Sequence, residues 1–123
     1  MHLDPTSNIP IFNQIATSIE DSILTGIYPE ESRVPSTTEI SAAYRINPAT
    51  VLKGVTLLVD EGILYKQRGI GMFVCPGAAQ KIRESRKELF YQSYITTLVA
   101  EAKKLGLSKQ AVTQMLGKGF ADE

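Results

Sequence analysis

The chain has few of the residues from which catalytic and metal centres are usually built. Its 123 residues include one histidine, His2, one cysteine, Cys75, and no tryptophan. A single cysteine excludes an internal disulfide and a thiolate cluster for zinc. A single histidine, next to the first residue, leaves no convincing Ser–His or Cys–His pair. We therefore expect no enzyme activity, no metal site and no cofactor, and we interpret Cys75 as a structural thiol.

Long apolar runs are also missing. No stretch approaches the roughly 18 residues that a membrane span requires, and Met1–Pro5 has neither the basic segment nor the apolar stretch of a signal peptide. These absences predict a cytoplasmic protein with no membrane partner. The formal net charge is zero, and residues 1–76 hold five basic and eight acidic side chains. Any binding to nucleic acid must therefore come from a local surface, because the bulk charge does not favour it.

Start and stop signals predict three helices in the N-terminal part. Apolar spacing between Pro10 and Gly26 indicates a first helix at about residues 10–25. Ser36, with Glu39 three residues later, is the pattern of a capping box. Asn47-Pro48 begins a third helix, and the tight turn before it completes a helix-turn-helix pattern. The stripe of this helix that we expect to be buried consists of Val51, Leu52, Val55, Leu58 and Val59.

Two β-prone runs, residues 63–66 and 72–75, flank a turn that contains Gly69 and Gly71. This pattern predicts a β-hairpin, which would form a wing directly after the helix-turn-helix. The predicted fold is mainly α with a small β-hairpin. We assign residues 1–76 to a winged helix-turn-helix DNA-binding domain and residues 77–123 to a C-terminal two-helix dimerisation appendage.

The appendage begins with a helix that we place at about residues 79–105. Its charged first third predicts a spacer, and its later part has an apolar face too broad for a helix in water. Burial against a second copy of the chain would cover that face, since two-fold dimers are the commonest oligomers. The alternative is that the face packs back on the winged helix of the same chain. The predicted interface residues are Phe90, Tyr91, Tyr94, Ile95, Leu98, Val99, Ala102 and Leu105.

Five short motifs occur in order across about residues 9–75: Pro10-Ile11-Phe12-x-Gln14-Ile15, Arg33-Val34-Pro35-Ser36, Asn47-Pro48-Ala49-Thr50-Val51, Glu61-Gly62-Ile63-Leu64 and Arg68-Gly69-x-Gly71-x-Phe73-Val74. Together they resemble the GntR family of bacterial transcription factors. The short helical tail and the Asn-Pro pair resemble the YtrA-like branch. The resemblance implies a repressor that binds a palindromic double-stranded DNA operator as a homodimer. In that branch, the regulated genes often encode transporters of the ATP-binding-cassette type.

The predicted base-reading surface lies at the start of the third helix, which is where a recognition helix contacts base edges. Ala49, Thr50 and Lys53 share one side of this helix, opposite the apolar stripe. Thr50 would bond a base or a phosphate, Ala49 would touch a thymine methyl, and Lys53 would reach a phosphate or a guanine. The alternative is that this side is only the solvated face of a small helix.

Further contacts are predicted at the second helix and the wing. The start of the second helix suits a phosphate, although Ser36 can equally serve as a plain cap. Arg33 either contacts a phosphate or pairs with Glu30 or Glu31. Arg68, at the tip of the wing, would enter the minor groove. The full set of candidate DNA-binding residues is Arg33, Ser36, Thr37, Thr38, Asn47, Pro48, Ala49, Thr50, Lys53, Arg68, Gly69 and Gly71.

Three other functions stay open on the sequence alone. The protein can be an effector sensor, with a small molecule bound in a cleft between subunits near Tyr91 and Tyr94. It can be a winged helix used only for protein–protein contact, which the acidic balance of residues 1–76 favours. An RNA binder is less favoured, because we predict no aromatic stacking surface on the wing.

Overall fold

The computed structural model describes residues 1–122. These residues divide into two compact units, the first ending at Glu84 and the second beginning at Ser85. In chain order the elements are α1 (Ile11–Leu24), β1 (Arg33–Val34), α2 (Thr37–Tyr44), α3 (Pro48–Asp60), β2 (Leu64–Gln67), β3 (Gly71–Val74), α4 (Ala78–Phe90), a π-helical turn (Tyr91–Ile95), α5 (Thr96–Lys104) and α6 (Lys109–Ala121). The mainly helical fold with a small sheet is the predicted winged helix-turn-helix, with a helical C-terminal part.

One hydrophobic core holds the first unit together. The apolar side of α1 repeats at helical spacing, so Ile15, Ile19 and Ile23 point the same way and are almost completely buried. They pack with α3, the sheet and the beginning of α4. The buried members of this core are Ile15, Ala16, Ile19, Ile23, Val34, Ile40, Val51, Val55, Leu58, Ile63, Leu64, Val74, Ala78 and Ile82. Cys75 is half-buried against it.

The buried side of α3 differs from the predicted stripe. Val51, Val55 and Leu58 are buried as expected, but Leu52 is 54% exposed and Val59 is 37% exposed. Including these two residues in the stripe was wrong. Gly54 is buried instead, and a Cβ at this position would lie 2.6 Å from the carbonyl oxygen of Phe12. The glycine therefore lets α1 approach α3 more closely than any side chain would allow.

The predicted hairpin belongs to a three-stranded antiparallel sheet in the order β1-β3-β2. β1, which the sequence analysis does not predict, lies directly before Pro35. Tyr65 and Phe73 face each other across β2 and β3, and their rings stack with centroids 5.7 Å apart. The wing thus carries an aromatic pair, contrary to the prediction, although both rings are half-buried.

The first residues are joined to α1 by hydrogen bonds of one side chain. The side chain of Gln14 accepts a hydrogen bond from the Asp4 amide at 2.7 Å. Its amide nitrogen donates to the carbonyl oxygens of Asp4 and Ile9 at 2.9 and 2.8 Å. Leu3 packs against the core. One glutamine of α1 thereby fixes the N-terminal segment onto the helix.

The beginning of α4 is part of the first unit's core rather than a spacer. Ala78 and Ile82 are 0% and 1% exposed. Glu30 accepts a hydrogen bond from the Gly77 amide at 2.8 Å, which satisfies a backbone donor just before the helix. The spacer prediction was therefore wrong for the start of this segment, whereas no residue between 83 and 88 is buried.

The second unit contains the apolar helices. The single helix predicted at about 79–105 is interrupted by the π-helical turn Tyr91–Ile95, where the Thr96 amide donates to the Tyr91 carbonyl five residues earlier. After Gly106, Ser108 caps α6 by accepting from the Ala111 amide at 3.1 Å. α6 continues to Ala121 and is the second helix of the predicted appendage. The functional division at residues 76 and 77 stays a prediction.

Candidate nucleic-acid interface

The helix-turn-helix is built by two side-chain caps and one unusual backbone conformation. Ser36 accepts from the Glu39 amide, and Glu39 accepts from the Ser36 amide, so the predicted capping box is present. Arg45 ends α2 in the left-handed conformation, with φ of 54°. Asn47 then accepts from the Ala49 amide at 2.8 Å, with Pro48 in the first turn of α3. These interactions fix where α3 begins, and therefore which side chains its first turns present.

The first turns of α3 place two of the three predicted readers fully on the surface. Ala49 and Lys53 are exposed, while Thr50 is half-buried. The Lys53 Nζ lies 4.1 Å from the centroid of the Phe12 ring on α1. A cation over an aromatic face is attracted by the electron density of the ring. Lys53 is therefore held in place by α1, which the sequence does not reveal because 41 positions separate the two residues.

Arg33 is positioned by the capping box. Its guanidinium donates to Glu39 Oε1 at 2.9 Å, and the same oxygen accepts from the Ser36 amide at 3.1 Å. The Ser36 backbone and hydroxyl, and then Arg33, lower the pKa of the Glu39 carboxyl. The predicted alternative was that Arg33 pairs with Glu30 or Glu31. Arg33 does form an ion pair, but with Glu39, so the predicted partner was wrong. The exposed Arg33 side chain is thus tied to the start of α2.

The wing is shaped by two glycines with positive φ. Gly69, in the turn closed by the Ile70 amide and the Gln67 carbonyl, has φ of 78°. Gly71 has φ of 146°, and a Cβ there would lie 2.8 Å from the Arg33 Nε. The second glycine therefore leaves room for the Arg33 side chain beside the first residue of β3, next to the turn. Arg68 is exposed at the tip.

The predicted DNA-binding residues thus form three local groups. In the first group, Arg33 and Ser36 both bond Glu39, and Gly71 lies beside the Arg33 side chain. Thr37 and Thr38 follow in the first turn of α2. The second group is the start of α3, and the third is the tip of the wing. Sequence reasoning missed Glu39 and Phe12 as partners of the two cations. The Ser-x-x-Glu spacing could have suggested the first, but no local signal points to the second.

The apolar surface predicted for the C-terminal part lies within the second unit. Phe90, Tyr91, Tyr94, Val99 and Leu105 are between 42% and 65% exposed. Ile95 and Leu98 are half-buried, and Ala102 is buried under α6 residues that line the same cleft. The Phe90 and Tyr94 rings lie 5.3 Å apart.

Helix α6 adds an apolar surface that the predicted interface did not include. Met115, Leu116 and Phe120 are 59%, 45% and 76% exposed. They face an apolar cleft of about 480 Å³ between α5 and α6. Its lining residues are Leu98, Glu101, Ala102, Leu105, Leu107, Val112, Met115, Leu116, Gly119 and Phe120. Contiguous exposed apolar surface is typical of interaction sites.

Two features are absent from residues 1–122. No helix in this range has the length and apolar character needed to cross a bilayer. No group of three or more histidine, cysteine, aspartate or glutamate side chains in the same range is arranged to hold a metal ion.

Comparison with known proteins identifies relatives of both parts of the chain. The profile of the family described as "Bacterial regulatory proteins, gntR family" matches residues 12–74. The HTH-type transcriptional repressor YtrA of Bacillus subtilis is 26% identical over 122 residues, which is 99% of this chain and 93% of that protein. Several other curated relatives are longer, and the chain spans only 30–31% of their length.

Two solved structures are informative. A transcriptional regulator of the GntR family from Bacteroides thetaiotaomicron is 35% identical, with a TM-score of 0.77 over 91% of this chain and 97% of its own. The AraR DNA-binding domain, solved in complex with an operator, is 26% identical, with a TM-score of 0.55 over 61% of this chain and 93% of its own. Both are transcriptional regulators, and the match to the Bacteroides protein includes most of the helical tail as well as the winged helix.

Proposed function

This chain belongs to the gntR family of bacterial regulatory proteins, a DNA-binding family of transcriptional repressors, and from that premise we propose that it binds a palindromic operator as a homodimer. The observation that carries the proposal is the start of α3, where a capped helix presents Ala49, Thr50 and Lys53 beside a turn of fixed geometry. Recognition helices read the major groove with their N-terminal residues.

The contacts divide by chemistry into those that position the protein and those that read bases. Lys53 carries a positive charge on the exposed side of α3, so we assign it to a phosphate or a guanine. Thr50 is half-buried, and its hydroxyl suits a base edge or a phosphate. Asn47 has its side-chain oxygen committed to the Ala49 amide, so we assign Asn47 and Pro48 to shaping the start of α3.

We assign the remaining contacts, to phosphates and to the minor groove, to residues near α2 and in the wing. The Arg33 guanidinium, which is half-exposed and tied to Glu39, is fixed in direction before DNA arrives. Thr37 and Thr38 lie in the first turn of α2, where backbone amides and the helix dipole favour an anion. Arg68 at the exposed tip of the wing suits a minor groove, with Gly69 and Gly71 permitting the close approach of the backbone.

The dimer is proposed on the second unit. Nine large apolar side chains there are at least 42% exposed: Leu89, Phe90, Tyr91, Tyr94, Val99, Leu105, Met115, Leu116 and Phe120. A second copy offers the same surface, and a two-fold arrangement lets each chain cover the other. Two winged helices in a symmetric dimer would bind two half-sites related by inverted symmetry.

A gel shift at two salt concentrations tests the proposal. The probes are duplexes selected by the full chain from a randomised double-stranded DNA pool. Specific retention with two chains per duplex, weakening steeply with salt, is expected because phosphate contacts release counterions. Enriched sequences without inverted symmetry, or a single chain per duplex, would contradict the dimeric part of the proposal.

The cleft between α5 and α6 supports a second candidate role, as an effector site. Its volume of about 480 Å³ and its apolar lining suit a small apolar molecule. A compound that binds the free protein and changes its affinity for the selected duplex would support a sensor. A dimer that fills the cleft with its own side chains would leave no room for such a compound.

A further inference from the structure

We infer that Leu52, together with Ala49, forms an apolar patch on α3 that reads the 5-methyl groups of thymines in the major groove. The inference rests on the proposed function and specifies the bases to which α3 responds. Its starting point is that Leu52 is 54% exposed, although it lies at the start of the second turn of a helix that packs on the core.

The position of Leu52 around the helix places it on the reading side. At roughly 100° per residue, the order around the exposed half of α3 is Leu52, Thr56, Ala49 and Lys53, over an arc of about 100°. The buried side, with Val51, Gly54, Val55 and Leu58, is the opposite half. Lys53 forms the edge next to α1, where it contacts Phe12, and Leu52 forms the other edge.

Leu52 and Ala49 are neighbours on this surface, because residues three apart are adjacent on a helix. Both belong to the first two turns of α3, the part that enters the groove most deeply in helix-turn-helix proteins. By contrast, the other exposed apolar residue of α3, Val59, lies near its C-terminal end and is 37% exposed. Leu52 is therefore the large apolar side chain that α3 presents at its reading end.

The rest of the reading end offers little hydrogen bonding. Residues 48–53 are Pro-Ala-Thr-Val-Leu-Lys, so Thr50 and Lys53 hold its only hydrogen-bonding side-chain groups. Asn47, just before them, already accepts from the Ala49 amide. In the major groove, the thymine methyl is the feature that an apolar side chain can recognise. The composition of α3 thus favours A·T pairs read through their methyl groups.

Replacement of thymine by uracil tests this directly, because it removes the methyl group and leaves the hydrogen-bonding pattern unchanged. Duplexes selected by the full chain from a randomised pool would be resynthesised with single thymines replaced by deoxyuridine. Burial of one methyl-sized group corresponds to about a fourfold change in Kd. We expect the wild-type chain to lose about fourfold in affinity at one or more thymines of each half-site.

Variants assign the effect to Leu52. Leu52→Ala should bind the thymine and uracil duplexes nearly equally at that position, because the larger partner of the methyl group is gone. Leu52→Met keeps an apolar side chain of similar volume and should retain the discrimination. Val59→Ala is the matched control and should discriminate as the wild type does. Thermal unfolding of each variant confirms that the fold is intact.

The outcomes separate the inference from the function on which it rests. If the pool yields enriched sequences but uracil has no effect at any thymine, the methyl readout is wrong and DNA recognition stands. If the uracil effect persists undiminished in Leu52→Ala, Leu52 is not the reader. If no sequence is enriched, the proposed operator binding fails, and the inference fails with it.

Discussion

Lys53 and Phe12 are joined across two helices, with the Lys53 Nζ 4.1 Å from the centroid of the Phe12 ring. The contact is possible because α1 and α3 pack closely, and it restrains a long side chain that would otherwise sample many rotamers. A charged group held before binding loses less conformational entropy when DNA arrives. Phe12 is therefore a positioning residue for Lys53.

A double-mutant cycle tests this relationship. Phe12→Leu should weaken binding to the selected duplex by about two- to fivefold, which corresponds to a partly exposed cation–π contact. In a Lys53→Ala background the same change should have almost no effect, because the lysine is gone. Phe12→Tyr keeps the ring and should restore binding. Equal losses from Phe12→Leu in both backgrounds would mean that Phe12 acts only through packing.

Gly54 is the second relationship between α1 and α3 that can be measured. An alanine normally stabilises a helix interior by about 1 kcal/mol relative to glycine. Here the added Cβ would lie 2.6 Å from the Phe12 carbonyl oxygen and 3.3 Å from the Ile15 Cβ. We therefore expect Gly54→Ala to lower the free energy of unfolding by about 1–3 kcal/mol, as overpacking does.

Gly117→Ala is the matched control for this measurement. Gly117 lies within α6, and a Cβ there would have no neighbour within 4 Å. The substitution should stabilise its helix by about 0.5–1 kcal/mol. Urea unfolding followed by circular dichroism gives both values. Stabilisation by Gly54→Ala would show that α1 can move away from α3 at no cost.

The positions of the elements were largely predictable, since the signals for them are local. The Ser36–Glu39 capping box and the Asn47-Pro48 start are each formed by neighbouring residues. The exposure of Leu52 was not predictable from spacing, because Leu52 lies at the edge of the apolar stripe. Gly54 is buried against α1 instead. A glycine contributes no hydrophobic signal, so a pattern of apolar residues alone assigns the wrong side chain to the core.

The groups that orient the candidate site residues could not be predicted from the sequence. Arg33 and Lys53 were identified as cations near the helix-turn-helix, but the groups that orient them come from elements placed by the fold. The π-helical turn at Tyr91–Ile95 likewise could not be predicted from the spacing of the apolar residues. Its hydrogen bonds span five residues instead of four, and this shift barely changes an apolar stripe that is already broad.

Glu39 gives the fold a defined response to acid. Its pKa is lowered, so its ionised form is favoured in the folded state and contributes stability at pH values above the ordinary glutamate pKa of about 4.3. That contribution is lost as the pH falls through the lowered pKa of the folded state. Glu39→Gln can still cap α2, but it has no carboxylate to titrate.

We therefore expect the wild type to be more stable than Glu39→Gln at neutral pH, and the difference to shrink as the pH falls below about 4.3. Urea unfolding of both proteins over this range measures the difference directly. Glu88→Gln, at an exposed position of α4, is the control for losing one carboxylate. A stability difference that stays constant with pH would show that the folded state does not favour the ionised form of Glu39.

The second unit should determine the oligomeric state. Leu105→Glu and Phe120→Glu each place a charge on an apolar surface, at residues that are 65% and 76% exposed. Burying an unpaired charge is costly, so each variant should shift the protein from dimer to monomer while the winged helix stays folded. Sedimentation velocity measures the change, and Lys109→Glu at the start of α6 is the control. A wild-type chain that is monomeric at every concentration would contradict the proposed dimer.

The central claim is that the start of α3 gives this regulator its sequence specificity. Its most direct test is the Kd for a selected duplex and for a permuted duplex of the same composition. The wild type and the Lys109→Ala control should prefer the selected duplex. The double variant Thr50→Ala/Lys53→Ala should lose at least about tenfold of that preference. If the double variant discriminates between the two duplexes as well as the wild type does, α3 is not the surface that reads the operator.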